Sequence, residues 1–245
     1  MISQTKNIFV LKKNIVWFPT NLKKINLKKN INYFRQHNLE LIKKNIIQEE
    51  DFLTLHINLN NTIENIYQLF KPATKYDIRK SNEMNLNIFN IDINDSNEIK
   101  KFITEVKYFY KKKGLRNLFK INNLPKDNLI LFVLKDERDW YSYSLFIRDD
   151  MRFRLLIFIN NYEKIPKKNL GYSSKKLIWE TIKYAKNVEN KKIFDFGGLS
   201  KDSKLKGINK FKESFGGDLV YEKNTLYCEI KFIKFLYSIL NIFRR

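Results

Sequence analysis

Two glycine-paired runs carry the side chains with the most chemical potential. The first is Phe194-Asp195-Phe196-Gly197-Gly198, and the second is Phe211-Lys212 followed by Phe215-Gly216-Gly217. Asp195 ends an apolar run between two phenylalanines. A carboxyl buried there is expected to have a raised pKa, which makes it a candidate general base. The competing role is a cap for the diglycine turn that follows, since Asp is an ordinary turn residue. Lys212 is the cation between the two runs and a candidate for stabilising developing negative charge, against the common case of a solvated surface lysine. Gly197, Gly198, Gly216 and Gly217 suit positive-φ turns or close backbone approach. Arg79 and Lys80 suit a diphosphate, Arg through bidentate contact, or else form a solvated helix face. Tyr172 orients substrate or packs. The one thiol, Cys228, has no histidine near it in sequence, and no Gly-x-Ser-x-Gly elbow is present. A covalent intermediate on a cysteine or serine is therefore not expected.

These residues must be positioned by alternating strands and helices. Asn7–Phe18 reads as two short strands broken at 12–14, and a helix is expected over Asn30–Ile46. Phe52–Leu59 is a strand. A helix follows over Thr62–Phe70, broken by Pro72, and Thr74 is expected to cap a second helix to about Met84. Leu86–Ile91 is a strand. Asp95 or Ser96 caps a longer helix that closes at Gly114. Leu129–Leu134, Trp140–Ile147 and Phe153–Ile159 form an antiparallel meander. Ser173 or Ser174 caps a helix to about Lys186, and Lys192–Phe196 is a buried strand. Phe153–Ile159, this helix and Lys192–Phe196 form a βαβ unit, so its two strands should be parallel. A short helix near Leu205–Ser214 and two final strands around a Lys223-Asn224 turn follow. The segment ending in Arg245 reads as an amphipathic basic helix, packed on the domain or lying on an anionic membrane. The class is mixed α/β, a mostly antiparallel sheet flanked by helices.

Composition narrows the partners. Lys and Arg total 47 against 26 Asp and Glu, a formal net charge of +21. Such a field attracts nucleotides, tRNA, CoA or an anionic membrane face. The abundance of Asn, Ile and Lys also fits an AT-rich genome. A single cysteine excludes an internal disulfide and a Cys-based zinc site, and the two histidines, His37 and His56, are too few for a His-rich metal centre. No metal is expected, and both histidines read as structural. The N-terminus lacks the apolar core of a signal peptide and no apolar run reaches membrane-span length, so a cytoplasmic location is expected, with peripheral contact at the inner membrane face.

Lys192–Tyr221 resembles the C-terminal signature of the FemAB family, in which an aromatic-Asp-aromatic-Gly-Gly strand end precedes a Gly-Ile-x-x-Phe-Lys-x-x-Phe-Gly-Gly run. Here the second run is Gly207-Ile208, Phe211-Lys212 and Phe215-Gly216-Gly217. Tyr76–Ser81 is similar to the basic helix that opens the family's acyltransferase domain, and Leu177–Lys186 to the helix leading into the Asp-containing strand. The resemblance implies a GNAT-like acyltransferase fold over 52–245, with 1–51 as an N-terminal extension, a reduced first half. It implies transfer of an acyl group to an amine, with Lys212 near the donor's carbonyl or phosphate and Phe211 beside it. Acetyl-CoA is the expected donor and the amino group of a nucleotide-linked or lipid-linked sugar the expected acceptor, in envelope glycan synthesis. The alternatives are aminoacyl-tRNA as donor with a peptidoglycan or polysaccharide precursor as acceptor, and a non-catalytic basic nucleic-acid- or membrane-binding protein. The segment matching the CoA pyrophosphate loop is Lys167–Ser174. It lacks the Gly-x-Gly pattern, leaving Lys167, Lys168 and a helix start at Ser173/Ser174 to receive phosphates.

Overall fold

Strand-forming runs of Val, Ile, Phe and Tyr and, among the described residues, five α-helices produce a mixed α/β architecture in the computed structural model, which describes residues 1–8, 11–25, 27, 30–114, 124–202, 205–232 and 234–235. Contacts divide the chain into two units, residues 1–54 with 220–245, and residues 55–219. The segment expected as an N-terminal extension is thus one part of a unit that also takes in the chain after Leu219. No helix among the described residues is long and apolar enough to cross a membrane.

In the unit of residues 55–219 the strands run in the order β4 (Ile46–Asn58, entering from the other unit), β9 (Ile193–Gly198), β8 (Arg152–Asn160), β7 (Trp140–Arg148), β6 (Leu129–Lys135) and β5 (Asn87–Ile91). β5 to β8 pair antiparallel, as the meander pattern predicts, and β8 pairs parallel with β9. Thr62 caps α1 (Ile63–Gln68) and Asp95 caps α3 (Ser96–Lys112), each accepting from first-turn backbone N–H groups. α2 (Pro72–Asn82) starts at Pro72, not at a Thr74 cap, because the fixed φ of proline suits the first helical position. Thr74 is buried within its first turn. α4 (Lys167–Asn187) starts after Pro166, so Ser173 and Ser174 lie inside the helix rather than at its start. α5 is Lys206–Glu213. One core joins Phe70, Ile78, Phe153, Leu177, Phe194, Phe196 and Phe215.

One irregularity sets up the site. β7 pairs Leu145 with Ile157 but Phe146 with Leu155, so Leu156 is an extra residue in β8. Such a bulge bends its strand and reverses which face successive side chains meet. Before it, Phe153 and Leu155 join the core, and after it Phe158 does. The parallel pairing of β8 with β9 covers only Arg152–Arg154 against Ile193–Asp195, and stops just before the bulge.

In the other unit β1 (Ile2–Ile8) pairs antiparallel with β2 (Leu11–Trp17), so residues 12–14 lie within a strand rather than at a break. Residues 30–37 form β3, parallel to β2, not the expected helix. Asn32 is buried there and accepts from Asn14 Nδ2 at 3.1 Å, a cross-strand amide pair that a weak helix-former makes readily. The two expected final strands are one, β10 (Asp218–Tyr227), antiparallel to β3. Lys223-Asn224 does not turn. Instead Asn224 faces a bulge in β3, where Gln36 has φ 52° and its N–H donates to Asn224 Oδ1 at 3.0 Å. Most of the expected C-terminal basic helix lies outside the described residues.

Candidate active site at the end of β9

Where β8 and β9 part, three glycines mark the turns on either side of α5. Gly197, Gly216 and Gly217 have φ of +70°, +69° and +99°. A Cβ would meet the Leu155 carbonyl oxygen at 2.7 Å from Gly197, that of Leu69 at 2.5 Å from Gly216, and that of His56 at 2.4 Å from Gly217. Both the conformation and the closeness of neighbouring backbone therefore require glycine. Between these turns α5 projects Lys212 back onto β9. Its ammonium donates to the Gly198 carbonyl at 2.7 Å and the Gly197 carbonyl at 3.4 Å. Burial, then the nearby Arg154, lower its pKa to about 8, and Asp195 opposes them.

Asp195 is fully buried on β9. Its Oδ1 accepts the Gly197 N–H at 2.7 Å, the turn-capping role. Its Oδ2 lies 3.3 Å from Arg152 Nη1, 3.8 Å from Arg154 Nε and 3.6 Å from His56 Nε2. Burial alone would raise its pKa, as expected from sequence. The His56, Arg154 and Arg152 contacts outweigh that and hold it well below the usual carboxylate range. The expectation of a raised-pKa base is thus corrected, because a carboxylate this strongly paired is a weak proton acceptor. His56, expected to be remote and structural, contacts the motif directly. Arg152 and Arg154, alternating along β8, were legible only as a break in its apolar pattern.

A second lysine was missed. Lys175, on α4, is 8% exposed. It donates to Ser214 Oγ and, at 3.4 Å, to the Phe211 carbonyl, and its ammonium stands 4.3 Å from the Phe211 ring centroid and 4.7 Å from that of Phe215. Burial lowers its pKa to about 8, with Asp77 on α2 opposing and Lys71 adding. Burial raises the pKa of Asp77 itself. The sign in the sequence was its place beside the apolar stripe Leu170, Leu177, Ile178 and Ile182. Phe211 packs between Phe158 of β8, at 5.4 Å, and Phe215, at 5.5 Å.

The remaining expected residues gather on the α2–α4 seam. The Tyr172 ring meets Tyr76 edge-on at 6.3 Å, and Lys168 Nζ lies 6.0 Å from the Tyr172 centroid. Lys80 pairs with Glu83 at 2.8 Å, and Arg79 and Lys167 are exposed. Ser173 and Ser174 do not face a ligand. They are buried, and their hydroxyls donate to the Leu170 carbonyl at 3.2 Å and to Asn160 Oδ1 at 3.1 Å. Gly171 lies within α4, so Lys167–Ser174 forms helix rather than a pyrophosphate loop.

This fold has known counterparts. The chain superposes on FemX with a TM-score of 0.66 over 97% of this chain and 85% of that one, at 12% identity. The fold is FemAB-like, of the GNAT type. It is also similar to L-PGS from Bacillus licheniformis, with a TM-score of 0.55 over 97% of this chain and 85% of that one, at 12% identity. A conserved protein of unknown function from Bacteroides thetaiotaomicron gives 0.55 over 92% of this chain and 82% of that one, at 8% identity. No family model matches the sequence. No curated protein matches it. The fold is thus shared with these structures at 8–12% sequence identity.

Proposed function

We propose that the protein is an acyltransferase that moves an aminoacyl group from aminoacyl-tRNA to an amine. The observation that carries this reading is the Lys212 ammonium, fixed on the Gly197 and Gly198 carbonyls where β8 and β9 part. There it faces charge that develops on a donor carbonyl oxygen, and a cation already in place needs no reorganisation as the reaction proceeds. In the reaction the acceptor nitrogen bonds to the ester carbonyl carbon and the bond from that carbon to the ribose oxygen breaks. The ribose oxygen leaves with the proton that the amine gives up, and an amide forms. Asp195, His56, Arg152 and Arg154 hold the end of β9 in position. Lys175 holds the last turn of α5, and so Lys212.

The choice of donor rests on three points. The likeness is to FemX and L-PGS. The α4 start has no glycine cradle for a CoA pyrophosphate, and Ser173 and Ser174 are already engaged. Lys71, Lys80, Lys167 and Lys168 make the α2 and α4 ends basic, which suits the phosphates of a long anion. Acetyl-CoA, the donor expected from sequence, is the second reading, favoured by the GNAT type of the fold. The deciding experiment incubates the protein with aminoacyl-tRNA charged with labelled amino acids, or with acetyl-CoA, and a panel of amine acceptors. Amide formation from charged tRNA with no thiol release from acetyl-CoA supports the first reading. Thiol release with no use of charged tRNA replaces it with the second.

A further inference from the structure

The unit of residues 55–219 has a cavity of ≈ 430 Å³ between α3 and the ends of β7 and β8, apart from the Lys212 contacts. That volume suits a small molecule. Aromatic side chains wall it: Tyr108 and Phe109 of α3, Trp140 at the start of β7 and Tyr162 just after β8. Glu105, Lys113 and Asn160 share the wall. We infer that the cavity binds a phosphocholine group, a zwitterion with a trimethylated ammonium at one end and a phosphate at the other. The inference goes beyond the transferase reading and does not depend on it. A quaternary nitrogen has no proton to give up and cannot accept an acyl group, so this ligand is not the acceptor amine.

Charge is the first support. Other charged side chains here are matched within the protein. Glu163 accepts from Lys112 at 2.7 Å and from Tyr108, and Lys164 pairs with Asp139 at 2.9 Å. Among the described residues no ion pair joins Glu105 or Lys113 to any partner. At 1.5 Å per residue, positions 105 and 113 stand roughly 12 Å apart along α3 and its C-cap. A ligand that satisfies both must carry both signs, separated along its length.

The surroundings of each charge fit as well. Lys113 Nζ stands 4.2 Å from the Tyr162 ring centroid. Asn160, two positions before that tyrosine, accepts through Oδ1 from Ser142 Oγ at 2.6 Å and Ser174 Oγ at 3.1 Å, which leaves its Nδ2 hydrogens as donors. An ammonium and an amide N–H suit phosphate oxygens. Rings dominate the rest of the wall. Tyr108 is 44% exposed, and Trp140 is only partly buried, packed on Tyr143 at 4.9 Å. Phe109 stacks on Tyr162 at 6.0 Å. A primary ammonium would need acceptors for three N–H groups, and Glu105 is the carboxylate left to serve them. A trimethylammonium needs none, because its methyl groups bury against aromatic faces while its charge meets the ring quadrupoles and Glu105.

The test is isothermal titration of the full chain with phosphocholine, with choline and phosphoethanolamine in parallel, and saturation-transfer NMR observed on the methyl signal. Expected are binding of phosphocholine, binding of phosphoethanolamine weaker by about tenfold, and a loss of about tenfold in Tyr108→Ala and in Glu105→Gln. Lys113→Ala should weaken phosphocholine by about tenfold and leave choline unchanged, because the phosphate alone meets that lysine. Tyr108 and Lys113 are exposed and Glu105 half-buried, so these variants should keep the fold, which circular dichroism checks. No binding at millimolar phosphocholine, phosphoethanolamine bound as tightly as phosphocholine, or affinity that all three variants leave unchanged would each overturn the inference. Co-sedimentation with phosphatidylcholine vesicles, lost in Tyr108→Ala, would make a lipid headgroup the source of the group. Binding of phosphocholine without co-sedimentation would make it a soluble molecule. Phosphocholine binding with no acyl transfer to any amine removes the transferase reading and leaves this site standing.

Discussion

Lys212 and Gly198 are joined by a 2.7 Å hydrogen bond from the lysine ammonium to the glycine carbonyl, so the end of β9 and the second turn of α5 are fixed to each other by the residue proposed to act. The lysine is both a clamp and a charge, and the two roles separate on substitution.

Lys212→Ala is expected to lower the rate of acyl transfer on the order of 10²–10³-fold, the range for loss of one donor to a developing oxyanion. The circular dichroism spectrum should be kept. Single-turnover rates measure the effect, and unchanged turnover removes Lys212 from the mechanism.

The rate should depend on pH through the same group. With its pKa near 8, the Lys212 ammonium loses its proton as pH rises through that value, and activity should fall with it. A pH–rate profile of wild type against Lys212→Arg tests this. Arginine stays charged, so whatever activity it retains should lack the fall near pH 8.

Stability should move in the opposite sense. Lys175 has its pKa lowered from 10.5 to about 8, so between those values the unfolded chain binds more protons than the folded one. Stability from this group therefore rises with pH across that window, and below about 8 the folded state bears the cost of a buried ammonium. Lys175→Met should flatten the rise in melting temperature from pH 8 to 10.5 while speeding exchange of α5 amides, because Phe211 and Ser214 lose their donor.

Asp195→Asn removes the carboxylate from beside two arginines and a histidine, and is expected to destabilise by about 3–5 kcal/mol, the range for breaking a buried pair. In the wild type the depressed pKa supplies stability above the ordinary aspartate pKa of about 3.9, lost as pH falls below it. Denaturation against pH for both proteins should show that acid loss only in the wild type.

Glycines divide sharply. Gly216→Ala and Gly217→Ala force a Cβ to 2.5 and 2.4 Å from backbone oxygens at positive φ, so each should lose about 1–3 kcal/mol or more. Gly207→Ala, near the start of α5 with open space around it, should gain up to about 1 kcal/mol. Chemical denaturation of the three variants orders them.

The sequence alone determined what local chemistry decides. Alternation over 129–159 specified the meander, Asp95 and Thr62 specified helix starts, and the Asp195 and diglycine spacing marked the loop end of β9, because pleat, capping and positive φ are properties of a few neighbouring residues. Tertiary structure decided the rest. Asp195 reads as a base until Arg152 and Arg154, some forty positions earlier, and His56 are folded against it and reverse its pKa. Lys175 reads as a surface cation until α5 covers it. Residues 30–37 become strand because β2 and β10 offer hydrogen bonds that the segment's own propensity does not reveal. Charge state and strand partnership depend on what the fold brings close in space, and a single chain read in order does not contain those distances.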